Sequence, residues 1–188
     1  AGTGTDITAI GAGALGGASY AANENTAVGK DAGNSITTAP YNALIGAYAG
    51  DALTTGERNT VVGYDALGAE VAGNYNVAVG MQALRSQTNS SGTDTRNTAV
   101  GYQAGYNLST GTENTLIGSN AASGDTITGA NNTCVGYAAG HALTSGGNNL
   151  FLGHDAGRST SPAGNQTTGS GTVCLGDDNI SDFFCADT

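Results

Sequence analysis

Short runs in which apolar and polar residues alternate return along this chain about every seventeen residues. The clearest reads Asn25-Thr26-Ala27-Val28-Gly29, and Asn97-Thr98-Ala99-Val100-Gly101 repeats it letter for letter. The closing glycines are Gly11, Gly29, Gly46, Gly63, Gly80, Gly101, Gly118, Gly136, Gly153 and Gly176. Their spacings are 18, 17, 17, 17, 21, 17, 18, 17 and 23 residues. The first and last copies, Ile7–Gly11 and Thr172–Gly176, are degenerate. A fixed period of this kind means one structural unit stacked on itself. Seventeen residues are too few for two packed helices, and a glycine in every unit also opposes helix. The residue before each glycine is always Val, Ile or Leu, with the β-branched types in the majority, as a strand prefers. A weaker phrase lies between the glycines, as in Leu53-Thr54-Thr55-Gly56 and Leu143-Thr144-Ser145-Gly146. It supplies a second extended side and a turn. The pattern predicts an all-β fold, a parallel β-solenoid or β-roll of about ten coils, over residues 1–176, with a C-terminal tail at 177–188.

Residues at the same place in each unit form columns up the stack. Three residues after the glycine stands alanine in nine of ten copies, from Ala14 to Ala156. That column marks a place where a larger side chain does not fit. Asn25, Asn42, Asn59, Asn76, Asn97, Asn114, Asn132 and Asn149 form an unbroken polar column. Stacked asparagines can hydrogen-bond along the axis as a ladder and also suit a turn; a polar binding rank is the alternative. Period-two geometry sends neighbouring strand residues to opposite faces. The aliphatic column before the glycine is expected to fill the coil. The column two before it, Ala27, Leu44, Val61, Ala78, Ala99, Leu116, Cys134, Phe151 and Cys174, is then left outside. Such a stripe needs cover, so it is expected at an interface of a homo-oligomer, unless the later part of each coil folds over it.

Composition narrows the picture. Glycine occupies 32 of 188 positions and large aliphatics are sparse, which suits a thin core. Net charge is −10, from five basic and fifteen acidic residues, so nucleic acid is a poor partner. No apolar run reaches the length of a membrane span. Three cysteines occur without a CxxC pair. Cys134 and Cys174 fall in one column about 10 Å apart, too far for a disulfide, and read as packed apolar side chains.

The nine residues Asn97 to Gly105, Asn-Thr-Ala-Val-Gly-Tyr-Gln-Ala-Gly, resemble repeats of phage tail fibres. The repeat is also similar to the Ser-Val-Ala-Ile-Gly units in the heads of trimeric autotransporter adhesins. Asn-Thr in place of Ser, and a longer period, favour the fibre side. The segment Asp177–Phe184 resembles the stretch before the self-cleaving chaperone domain of some phage fibres. The resemblance covers about Ile7 to Leu175. It implies a left-handed β-roll, a homotrimer, an extracellular or virion-surface location, and attachment to a cell-surface glycan or protein receptor.

Other motifs carry little. Gly11-Ala12-Gly13-Ala14-Leu15-Gly16 matches a dinucleotide fingerprint, but no helix follows to receive a pyrophosphate. His141 and His154 are the only histidines, with no GxSxG beside them. Asp177, Asp178 and Asp182 offer carboxylates for glycan cleavage or calcium, yet solvated aspartates near a terminus are commoner. Tyr64, Tyr102 and Tyr137 follow their glycines in an outward, variable rank and could stack on sugar rings. Insertions at 86–94 and 159–170 are loop candidates. No enzymatic activity, cofactor or metal is expected. The expected function is a structural segment of a viral tail fibre or similar appendage. A bacterial adhesin head and a glycan-binding or glycan-cleaving spike are the alternatives. An ice-binding solenoid fits less well, because Ala43 and Val77 interrupt the threonine rank Thr26, Thr60, Thr98, Thr115 and Thr133.

Overall fold

In the computed structural model, residues 5–17, 21–90, 92–158 and 164–177 are described. Among them lie ten three-residue strands: β1 (Thr8–Ile10), β2 (Thr26–Val28), β3 (Ala43–Ile45), β4 (Thr60–Val62) and β5 (Val77–Val79), then β6 (Thr98–Val100), β7 (Thr115–Ile117), β8 (Thr133–Val135), β9 (Leu150–Leu152) and β10 (Val173–Leu175). They form one sheet in chain order, each strand parallel to the next. The register never slips: Ala27 lies beside Leu44, Leu44 beside Val61, Val61 beside Ala78. Even the four extra residues between β5 and β6 leave Ala78 opposite Ala99. The chain is therefore a parallel β-solenoid, as the period predicted. No helix occurs among the described residues.

The coil turns on glycine. Gly29, Gly46, Gly63, Gly80, Gly101, Gly118 and Gly136 have φ between 130° and 142°, a region closed to side chains. They also stack so closely that a Cβ on Gly63 would meet the Gly80 carbonyl oxygen at 2.4 Å. Two further corners use left-handed backbone at ordinary residues, Tyr41, Arg58 and Tyr75 at one, Tyr48, Asp65 and Gln82 at the other. Hydrogen bonds between coils hold these corners, for example from the Tyr48 amide to the Lys30 carbonyl at 2.9 Å.

The strand faces the opposite way from the expectation. Ala27, Leu44, Val61, Ala78, Ala99, Leu116, Cys134, Phe151 and Cys174 are buried inside the coil. They pack with the alanine column Ala32 to Ala156 in the core. Val28, Ile45, Val62, Val79, Val100, Ile117, Val135 and Leu152 point outward. An interface through the Ala27-to-Cys174 column is thereby overturned. Alternation fixes only which residues share a face, not which face is inside. The asparagines decide it: they lie two positions before the core column, hence on its face, and all eight are buried. The larger aliphatics are not needed as filling, because the interior already holds Ile36, Leu53, Leu108, Ile127 and Leu143 from the far side.

That far side shows how the thin core is filled. Where the fourth residue after the glycine is itself glycine, as at Gly33, Gly50, Gly105 and Gly140, an aliphatic three residues on fills the space: Ile36, Leu53, Leu108 and Leu143. In two coils the fourth residue is instead a buried leucine, Leu67 or Leu84, and the later position turns polar, Glu70 or Gln87, also fully buried. The exchange is steric, since a Cβ on Gly50 would sit 2.9 Å from Leu53 Cδ1.

Candidate functional site

The asparagine column is a continuous ladder. Each Oδ1 accepts the backbone N–H of the next asparagine at 2.8–3.1 Å, from Asn25 through Asn149. The ladder ends on the Thr172 amide, 2.8 Å from Asn149 Oδ1. Most Nδ2 groups also donate across the coil, as from Asn59 to the Gly73 carbonyl at 3.0 Å. Buried amides satisfied in this way are structural cement rather than a rank open to ligand.

The 86–94 insertion is tied into the same interior. Glu70 Oε1 accepts the backbone N–H groups of Val71, Ala72, Gly73 and Asn89 at 2.8–3.0 Å. Gln87 Oε1 takes the Asn97 amide group, and Thr95 donates to Asn76 Oδ1 at 2.8 Å. The insertion is thus plugged into the core by polar groups.

Two outward surfaces remain. The first is the strand face, whose outward residues carry no charge from Thr8 to Leu175. It pairs a column rich in threonine (Thr26, Thr60, Thr98, Thr115, Thr133) with the aliphatic column. Ile45, Ile117 and Leu152 are exposed on it. The second is the rank after the glycine. Tyr64, Tyr102 and Tyr137 all lie exposed there, two coils apart, with Met81 and Ser119 between them. Tyr64 meets Tyr48 edge-on at 5.8 Å, and Tyr137 stacks on His154 at 5.1 Å.

A cleft of about 430 Å³ opens where three successive coils meet the second insertion. Its wall is the fifth residue after the glycine in each coil, Ser123, His141 and Arg158, faced by Asp125, Asn165 and Thr167. The frame is firm. Thr144 donates from both its amide (2.7 Å) and its hydroxyl (2.9 Å) to the Thr167 carbonyl, and Gln166 N–H reaches the Gly157 carbonyl at 2.9 Å. Asn107 Nδ2 holds the carbonyls of Ser123 and Gly124. Gly124 passes so close beneath His141 that a Cβ there would fall 1.8 Å from the His141 carbonyl oxygen. Arg158 Nη1 pairs with Asp155 at 2.6 Å. Burial, then the Arg158 charge, hold the His141 imidazole below its ordinary pKa, against the opposing pull of Asp155 and Asp125. The ring is therefore neutral at pH 7.

Sequence reasoning did not find this cleft. Its signal was present, because the fifth-position rank runs Asp51, Gly68, Arg85, Tyr106, Ser123, His141, Arg158 and varies as freely as the tyrosine rank. Only the stacking of three coils shows that those variations meet.

Cys134 and Cys174 are both buried in the core column, and burial pushes the Cys134 pKa up to about 12. Asp178, Asp182 and Cys185, most of the resembling segment Asp177–Phe184, and residues 159–163 of the second insertion lie outside the described residues. Among the described residues no group of three His, Cys, Asp or Glu side chains gathers as metal ligands. None of the described segments forms a helix long and apolar enough to cross a membrane. No family model matches the chain, and no curated protein or solved structure matches it.

Proposed function

We propose that this chain is a stiff structural segment of an extracellular fibre, a viral tail fibre or similar appendage, that assembles as a homotrimer and carries a host-attachment surface. The observation behind this reading is the uncharged outward strand face. Nine inter-strand steps of about 4.8 Å make it about 43 Å long, and its unbroken aliphatic column is too long to leave bare on a monomer. The charged side chains, such as Lys30, Asp31, Asp65 and Arg58, sit at other corners of the coil. Copies of this chain can therefore meet face to face without repulsion despite a net charge of −10. A second copy fits better than an unrelated partner. The stripe is in register from strand to strand, so copies set around an axis along the stack meet coil for coil, in closed symmetry. A left-handed coil is part of the same proposal and rests on the resemblance of the repeat.

Sedimentation equilibrium tests the assembly. The intact chain should sediment as a trimer, and Ile45→Glu with Ile117→Glu should return it to monomer with its β-sheet circular dichroism intact. A wild-type chain that is monomeric at micromolar concentration would remove the support for a fibre.

A further inference from the structure

We propose that the cleft between Ser123, His141, Arg158 and the 164–167 segment is a binding site for a non-ionic sugar residue. This deepens the attachment reading and rests on it for its biological sense.

The lining chemistry selects the ligand class. The carboxylate of Asp125, the ring of His141 and the amide of Asn165 make no hydrogen bond or ion pair within the described residues, and Arg158 commits one guanidinium nitrogen to Asp155. The wall thus presents an open set of donors and acceptors on backbone held by inter-coil hydrogen bonds. Among the described lining residues the one apolar side chain is the methyl of Ala142. A peptide would bury an aromatic or aliphatic anchor in an apolar pocket, and the described lining residues form none. The charges then separate neutral from ionic ligands. Arg158 is offset by Asp155, His141 is neutral, and Asp125 leaves about one negative charge facing the cleft. A phosphate, sialic or uronic acid would meet no uncompensated cation. A sugar ring fits, since each hydroxyl both donates and accepts and so suits a wall of mixed amide, carboxylate and guanidinium groups. The volume of about 430 Å³ holds one or two rings rather than a long chain.

Saturation-transfer NMR on the intact chain tests the site. The probes are the methyl glycosides of glucose, galactose, mannose and N-acetylglucosamine, with glucuronic acid as the ionic control. At least one neutral glycoside should receive saturation, and glucuronic acid less. Asp125→Ala and Asn165→Ala should each weaken that binding on the order of tenfold. Neither side chain makes a hydrogen bond or ion pair within the described residues, so the melting temperature should change little. Silence from all four neutral probes, stronger binding of glucuronic acid, or equal binding by the variants would each overturn the site. Adsorption of the assembled fibre to cells is read separately. Variants that lose the sugar but still adsorb would sink the attachment role and leave the sugar site standing.

Discussion

At the scale of single residues, most positions are dictated by what lies one coil away. The turn glycines are required by their neighbours' carbonyls as much as by their own φ. Cys134 is a core atom that happens to be sulfur, and its raised pKa makes it inert toward alkylation while the coil is intact. Asp51 is the exception. Its Oδ1 is buried without a hydrogen bond. Burial first, and then the nearby Asp65 and Asp31 carboxylates, raise its pKa above the ordinary carboxylate value, against backbone hydrogen bonds from Asp51 and Ala52 that pull it down. A carboxyl raised on folding is a penalty at neutral pH that fades as pH falls and the folded form takes up the proton. Asp51→Asn should therefore raise the melting temperature at pH 7. The advantage over wild type should shrink on acidification and vanish below about pH 4, where both states are protonated. Thermal melts of both proteins from pH 3 to 8 measure this, and an advantage independent of pH would show that charge is not its cause.

At the scale of the coil, the core is filled by exchange between two positions rather than by one consensus. Glu70→Leu would restore the apolar residue usual in its rank, yet it should destabilise by about 3 kcal/mol. Leu67 already occupies the space, and four backbone N–H groups would lose their acceptor. Adding Leu67→Gly, itself costly as a cavity by about 3 kcal/mol, should give a double variant at least about 1 kcal/mol better than the sum of the singles. Additive losses in denaturant melts would mean that the two positions do not share volume. The same coil shows what the sequence could convey. The period and parallel stacking were legible because every unit repeats them, and the asparagine ladder because the eight units from Asn25 to Asn149 do. Inside and outside were not, because Ala27 and Val28 are both apolar and alternation carries no sign. The buried Asn25 on the Ala27 face carried the missing information. The cleft was not legible for a different reason: Ser123, His141 and Arg158 lie 17–18 residues apart and become neighbours only through stacking.

At the scale of the whole molecule, each strand pairs only with the ones before and after it. Stability is then close to a sum of coil energies and nearest-neighbour interfaces, and a defect's position should matter as much as its chemistry. Gly29 and Gly101 make the comparison. They share nearly the same backbone, φ 139° and 137°, and a Cβ on either would lie 2.5–2.6 Å from the carbonyl of the next turn glycine. Alanine at either site should cost at least about 3 kcal/mol locally. In the second coil that loss can be absorbed by fraying β1 and β2, leaving the rest of the stack near its original midpoint. In the sixth coil there is no free end to release, and the defect cuts the array into β1–β5 and β7–β10. Gly101→Ala should therefore unfold in two transitions or with a much lower single midpoint. Gly29→Ala should lose hydrogen-exchange protection only in its first two coils. Exchange mass spectrometry resolved by peptide distinguishes them. Identical, uniform loss of protection in both variants would mean that the ladder and core couple all ten strands into one cooperative unit, and that the nearest-neighbour description fails for this chain.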